Sequence, residues 1–261
     1  HITPFDRPEY APSASDVTMR TLRFRPMNEN SPHNTFEALD AFHANRLEWT
    51  YLNFSDEEAE KIKRVKESGR LFGGASGSSS GTDVTWHEDG TATKKYVIVD
   101  INGNPVIKGH QVHWERPQSP GCVNNPEYRK RHLEYLKKYI DAGVDAIQRD
   151  EPSYSHMWGK MGTGCFCNHC MAKFPEYLDS RLSDEEITGL GIDEINNFNY
   201  KDYIKSRGYN MGVGNNFDWS DKNAMGKIVK DDNIAALFAD FQRDATVDFY
   251  TWIIDEMNSY A

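Results

Sequence analysis

Four cysteines and one adjacent pair of acids are the residues of this chain whose types and spacing suit chemistry. Cys165, Cys167 and Cys170 fall within six residues, and Cys122 stands upstream of them. In a tight loop, sulfurs two and then three positions apart can point at one centre. Cys122 supplies a fourth ligand if the start of its helix lies beside that loop. Four thiolates close a tetrahedral zinc site and leave no position for water, so the ion would be structural. A Cys167–Cys170 disulfide with free thiols elsewhere, or cysteines that are merely buried, are the other readings of the same residues.

The acids are Asp150 and Glu151, which end a short strand read over Asp145 to Arg149. Adjacent strand residues point to opposite sides, so both can face one cleft only where the strand has broken. Pro152 helps to break it. Glycoside cleavage needs an acid of raised pKa to protonate the leaving oxygen, and a second carboxylate across the anomeric carbon. An Asp-Glu pair is more often a helix cap or a surface pair. Its place at a strand tip, before a loop carrying Tyr154, His156 and Trp158, favours the functional reading.

The elements that would hold these groups alternate. Residues 1–16 are rich in Pro, Ser and Ala and read as an N-terminal arm. Met19 to Pro26 alternates like a strand. Asn34-Thr-Phe-Glu37 resembles a capping box, starting a helix to about His43. A second strand spans Arg46 to Phe54. Ser55-Asp-Glu-Glu58 is a clearer box whose helix stops at Gly69, and a third strand follows over Arg70 to Ser76. The Gly/Ser run after it lacks the GxxxxGK[ST] pattern of a phosphate loop and reads as a flexible rim loop. Asn102-Gly103-Asn104 predicts a hairpin between 95–102 and 105–114. Pro126 at N1 opens a helix with Leu133, Leu136 and Ile140 on one face, ended by Gly143.

Beyond the cysteines, Met171 to Leu182 reads as a helix, and Ser183-Asp-Glu-Glu186 opens a short one. The stretch to about Asp232 is polar and irregular. A helix over Asn233 to Met257 would bury Leu237, Phe238, Phe241, Val247, Tyr250 and Ile254.

Four such βα units predict an α/β fold with a parallel sheet covered by helices. A doubly wound sheet and a (β/α)8 TIM-type barrel both satisfy the pattern. The count matches the first half of a barrel, spanning 17–261 with a zinc-binding loop at 122–170.

Among 261 residues the net charge is −10 and no lysine-arginine run exceeds three residues, which argues against nucleic acid and anionic membranes as partners. No apolar run approaches a membrane span. Three clustered cysteines out of four do not resemble a secreted disulfide framework. The chain opens on His1, so localisation is not legible. Aromatics are 12% of the residues, and Trp86, Trp114, Tyr154 and Trp158 sit in polar loops where rings stack on sugar faces.

From Val97 to Leu178 the chain resembles glycoside hydrolase family 42, the retaining β-galactosidases of a large (β/α)8 clan. The resemblance is carried by Asp100-Ile-Asn-Gly103-Asn-Pro105 and by Cys122-Val-Asn-Asn-Pro126-Glu-Tyr128-Arg129. It continues through Asp150-Glu151, Cys165-Phe-Cys167-Asn-His-Cys170 and Phe174. It covers about a third of the chain, and its cysteine motif is the most specific part. The resemblance implies that Cys122, Cys165, Cys167 and Cys170 are zinc ligands and that Glu151 is the acid/base after strand four. It also places the nucleophile after strand seven, which would lie beyond Ala261.

The family's Asn before the acid/base is Asp150 here, which implies a distant relative acting on another polysaccharide. Asp150 would position the sugar or tune Glu151. Trp114, His113, Tyr154, His156 and Trp158 are the expected subsite walls, with Arg25, Tyr51 and Asn53 near the tips of strands one and two. The expected partners are a carbohydrate substrate and either a second copy or a complementary barrel half.

Three rival readings are a retaining α-galactosidase-like barrel with Asp150 as nucleophile, a carbohydrate-binding barrel fragment without catalysis, and a zinc-ribbon interaction module. The βα alternation around the cysteines speaks against the last.

Overall fold

The computed structural model describes residues 16–21, 35–108, 111, 113–150, 164–207 and 232–261. The chain divides into two compact units. The first comprises His1–Gly77, Tyr135–Glu151 and Ala261, and the second comprises Ser78–Glu134 and Pro152–Tyr260.

In the first unit β1 (Thr18–Arg20), α1 (Thr35–Ala41), β2 (Arg46–Thr50), α2 (Asp56–Glu67) and β3 (Leu71–Ser76) follow in turn. The second half of α3 (Pro126–Asp141) then leads to β6 (Ala146–Arg149). The four strands form one parallel sheet in the order β1-β2-β3-β6, so each pairs with the one before it and no reversal point occurs among the described strands. Parallel neighbours need a crossover, and α1, α2 and α3 supply it.

The two faces of this sheet differ as period-two alternation requires. Leu47 and Phe72 point to the helices, where they join Phe36, Leu39, Ile62, Val65 and Tyr139 in one buried cluster. Burying each such side chain contributes about 1.5–3 kcal/mol. The opposite face of β2 is charged. Nε and Nη2 of Arg46 both donate to Oε1 of Glu48, at 2.8 and 2.7 Å. At Gly74 the Tyr139 ring of α3 packs directly on the sheet, and a Cβ there would clash with it.

β2 ends in an irregularity. Its register against β3 shifts between Leu47 and Thr50, and Trp49 adopts φ 65. A bulky residue in the left-handed region costs about 1–3 kcal/mol and persists only where its surroundings hold it. α2 begins on Ser55, whose side chain accepts from the Glu58 amide. The Glu58 carboxylate does not return to Ser55. It reaches further back and accepts from the amides of Asn53 and Phe54, at 2.7 and 3.0 Å.

In the second unit the antiparallel pair β4 (Asp83–Trp86) and β5 (Ala92–Lys95) precedes the first half of α3. Then come α4 (Asn168–Asp179), α5 (Asp184–Gly189), a 3-10 turn at Ile195–Asn197, α6 (Tyr200–Ser206) and α7 (Asn233–Tyr260). The hairpin expected around Asn102-Gly103-Asn104 is reduced to the single bridge Val99–Pro105. Asp100 closes that turn by accepting from the amides of Asn102 and Asn104, and the bonds from the Asp100 amide to the Asn104 carbonyl and from the Val106 amide to the Ile98 carbonyl flank the bridge. The true ladder lies upstream, turning at Asp89-Gly90 with Gly90 at φ 81.

The Gly/Ser run, expected to be flexible, is tied down. The Ser78 carbonyl accepts from the Gly121 amide and the Tyr128 hydroxyl, and the Ser80 carbonyl lies 2.6 Å from Nδ1 of His132. α6 occupies part of the stretch expected to be irregular, capped by Asn199, whose Oδ1 accepts from Lys201 and Asp202.

The buried side of α7 carries Ile234, Ala235, Phe238, Phe241, Gln242, Thr246, Phe249 and Ile253. Val247 and Ile254, expected inside, are 61% and 50% exposed. At 100° per residue they fall away from the face set by Phe249 and Ile253. No helix among the described residues is long and apolar enough to cross a membrane.

Candidate metal centre and strand-tip acid

The second unit gathers the four cysteines through one stretch of backbone, residues 96–99. The Cys122 amide donates to the Tyr96 carbonyl at 2.8 Å, and the Phe166 amide donates to the Val99 carbonyl at 3.0 Å. One stretch of backbone thereby aligns both pieces of chain that bear the sulfurs. Cys167 then serves as N-cap of α4 without a side-chain capping bond, and Cys170 lies in the first turn.

Gly164 permits the entry to this loop. Its φ is +87, and a Cβ would approach Cε1 of Phe238 to 2.9 Å and Cγ of Gln242 to 3.0 Å. Cys122, Cys165 and Cys170 are fully buried, within an apolar cluster that includes Phe166, Phe174, Phe238 and Phe241.

All four Sγ atoms lie within 4.8 Å of one another, and Cys122 is 3.5 Å from both Cys167 and Cys170. A tetrahedron of thiolates with metal–sulfur bonds of about 2.3 Å has sulfurs about 3.8 Å apart. The spacing therefore suits a metal ion, and all four cysteines are free thiols rather than disulfide partners. Nδ2 of Asn124 donates to Sγ of Cys170 at 3.5 Å. Such a donor offsets thiolate charge without binding metal itself.

The protonation balance points the same way. Hydrogen bonds from Cys122, and then from Cys165 and Cys170, hold the Cys167 thiol far below its ordinary value, against the effect of burial. Cys122 is pushed up by its hydrogen bonds to the other three sulfurs, Cys165 foremost, and by burial. Cys165 is pushed up chiefly by burial. One thiolate forms readily here, whereas several buried together repel one another unless a cation joins them.

The first unit brings together two other expected residues. Tyr51, directly after β2, donates its hydroxyl to Oδ2 of Asp150, directly after β6, at 2.5 Å. The Asp150 amide donates to the Ser76 carbonyl at 2.9 Å, so the acid is fixed through its backbone as well. Asn53 is exposed, and its Oδ1 accepts from the Ser55 amide at 2.9 Å, which engages it in the approach to α2. His113 and Trp114 belong to the second unit and are exposed, Trp114 by 53%. Glu151, Tyr154, His156, Trp158 and Arg25 lie outside the described residues.

Three residues of the metal surroundings escaped the sequence reading. Asn124 stands two positions after Cys122, where the motif itself could have flagged it. Gly164 and Gln242 carry no such signal, because their roles depend on the packing of α7. No family model matches the chain, and no curated protein matches it.

Proposed function

We propose that this chain is the N-terminal part of a (β/α)8 glycoside hydrolase, retaining and β-galactosidase-like, braced by a structural zinc ion. The observation that carries this reading is the convergence of Cys122, Cys165, Cys167 and Cys170, the most specific part of the resemblance to family 42. Four thiolates are a soft donor set that favours zinc, and they leave the ion no open coordination position. Bound there, the ion would brace the loop and take no part in bond cleavage.

Two further features support the reading. The described strands pair in chain order without reversal, as the opening strands of a barrel do and as a doubly wound sheet, with its switch point, does not. The acid expected at the fourth strand, Asp150, stands at the C-terminal tip of β6, the end of a parallel barrel where catalytic groups collect. On this reading Glu151 protonates the leaving oxygen and then, as a base, activates water. Asp150 binds a sugar hydroxyl.

Because the nucleophile is expected beyond Ala261, the test is to assay the complete enzyme that contains this chain on aryl and alkyl β-glycosides, beside Glu151→Gln and with metal content measured. The expected result is one zinc per chain, with hydrolysis of alkyl glycosides lost in the variant and activated aryl glycosides partly spared. Near-normal turnover of alkyl glycosides by Glu151→Gln would sink the assignment.

A further inference from the structure

We propose that Tyr51 is a positioning residue, holding Asp150 so that one carboxylate oxygen is committed to the phenol and the other is left for a hydroxyl of a bound sugar. The substrate class rests on the glycosidase reading above, while the positioning rests on geometry in the first unit. The Tyr51 hydroxyl lies 2.5 Å from Oδ2 of Asp150, at the short end of charge-assisted O–H···O− bonds. β3 lies between β2 and β6, so this bond spans the middle strand. It can do so because the chain there, Ala75-Ser76-Gly77, carries only small side chains.

The other oxygen, Oδ1, has no hydrogen-bond partner among the described residues, although Asp150 is half-buried. A carboxylate oxygen lacking a partner in the protein sets a strong acceptor at the strand tip. Tyr51 itself is delivered by the irregular end of β2, two residues after Trp49 in its left-handed conformation. A tie serving stability alone would not need strain at its base or an acceptor left open beside it.

The test is a double-mutant cycle on sugar binding. Wild type, Tyr51→Phe, Asp150→Ala and the pair are titrated by calorimetry with the methyl β-glycosides of galactose, glucose, xylose and mannose. Tyr51→Phe should weaken the best of these about tenfold, and the pair should bind no more weakly than Asp150→Ala alone. Asp150→Asn keeps an acceptor for Tyr51 but presents an amide where Oδ1 stood, so it should fold normally and still lose affinity.

A far-downfield hydroxyl proton in the NMR spectrum should be present in wild type and missing in Tyr51→Phe. Additive losses, an unchanged affinity in Tyr51→Phe, absence of that proton, or binding of none of the four sugars would each overturn the proposal. Glu151→Gln separates the two ideas. If it hydrolyses normally, the glycosidase reading fails while the coupling of Tyr51 to Asp150 still stands on binding alone.

Discussion

Gly74 of β3 lies directly beneath the ring of Tyr139 on α3, in a space too small for a Cβ. The Tyr139 hydroxyl donates to the Ala75 carbonyl at 2.5 Å and accepts from the Leu52 amide at 3.5 Å. The glycine lets the ring down, and the ring satisfies the backbone of two neighbouring strand ends. Gly74→Ala should push the ring away and break that bond, lowering stability by about 1–3 kcal/mol. Urea unfolding followed by tryptophan fluorescence would measure it, and an unchanged midpoint would show that the contact carries no weight.

Glu58 gives a second check on the same unit. The residue is 8% exposed, and its carboxylate accepts from two backbone amides. Glu58→Ala leaves both donors without a partner and should cost about 1–3 kcal/mol. Glu58→Gln retains an acceptor oxygen and should cost less. Equal losses in the two variants would argue for a role other than accepting those bonds.

Metal binding should depend on pH with a definite sign. Cys122 and Cys165 hold their protons to above the ordinary thiol range in the metal-free protein. An ion must displace at least these two protons, so affinity rises with pH and falls on acidification. Two protons released correspond to about a hundredfold per pH unit below the thiol range. Competition with a chromophoric chelator between pH 6 and 8 reads the slope, and a flat profile would contradict thiolate ligation.

Asn124 should matter to the ion without touching it. Removing its amide, as in Asn124→Ala, takes away the donor to Cys170 and should weaken metal binding by about 10–100-fold. The cobalt-substituted protein should keep the thiolate charge-transfer bands of four sulfurs, since no ligand is lost. Loss of a band would mean that Asn124 holds a cysteine in place rather than tuning it.

Much of the βα framework was legible because its signals are local. Ser55, Ser183, Pro126, Gly69 and Gly143 each mark a helix end by chemistry acting within a turn, and each stands at the expected end. The cysteine cluster was legible because donor type and spacing almost dictate it. Most of what escaped depended on distant parts of the chain. One local feature escaped too, the ladder of β4 and β5 turning at Asp89-Gly90, while the Asn-Gly turn that was read, at 102–104, closes a single bridge.

The face of α7 is a case of the distant kind. Apolar residues lie almost all round that helix, so its own sequence left open which of Phe249 or Val247 turns inward. The link from Tyr51 to Asp150 could not be read at all, since it crosses a strand and joins residues far apart in sequence.

The segment 96–99 holds two pieces of chain that the sequence keeps far apart. With an ion bound between Cys122 and Cys165, the intervening chain of about forty residues, α3 and β6 included, becomes a closed ring. Unlike a disulfide, the ion leaves when the chain unfolds, so the ring exists only in the folded state and stabilises it through the ion's affinity. β6, which leads to Asp150, lies on that ring, so withdrawing the ion removes a closure around the acid's strand without removing any bond that Asp150 makes.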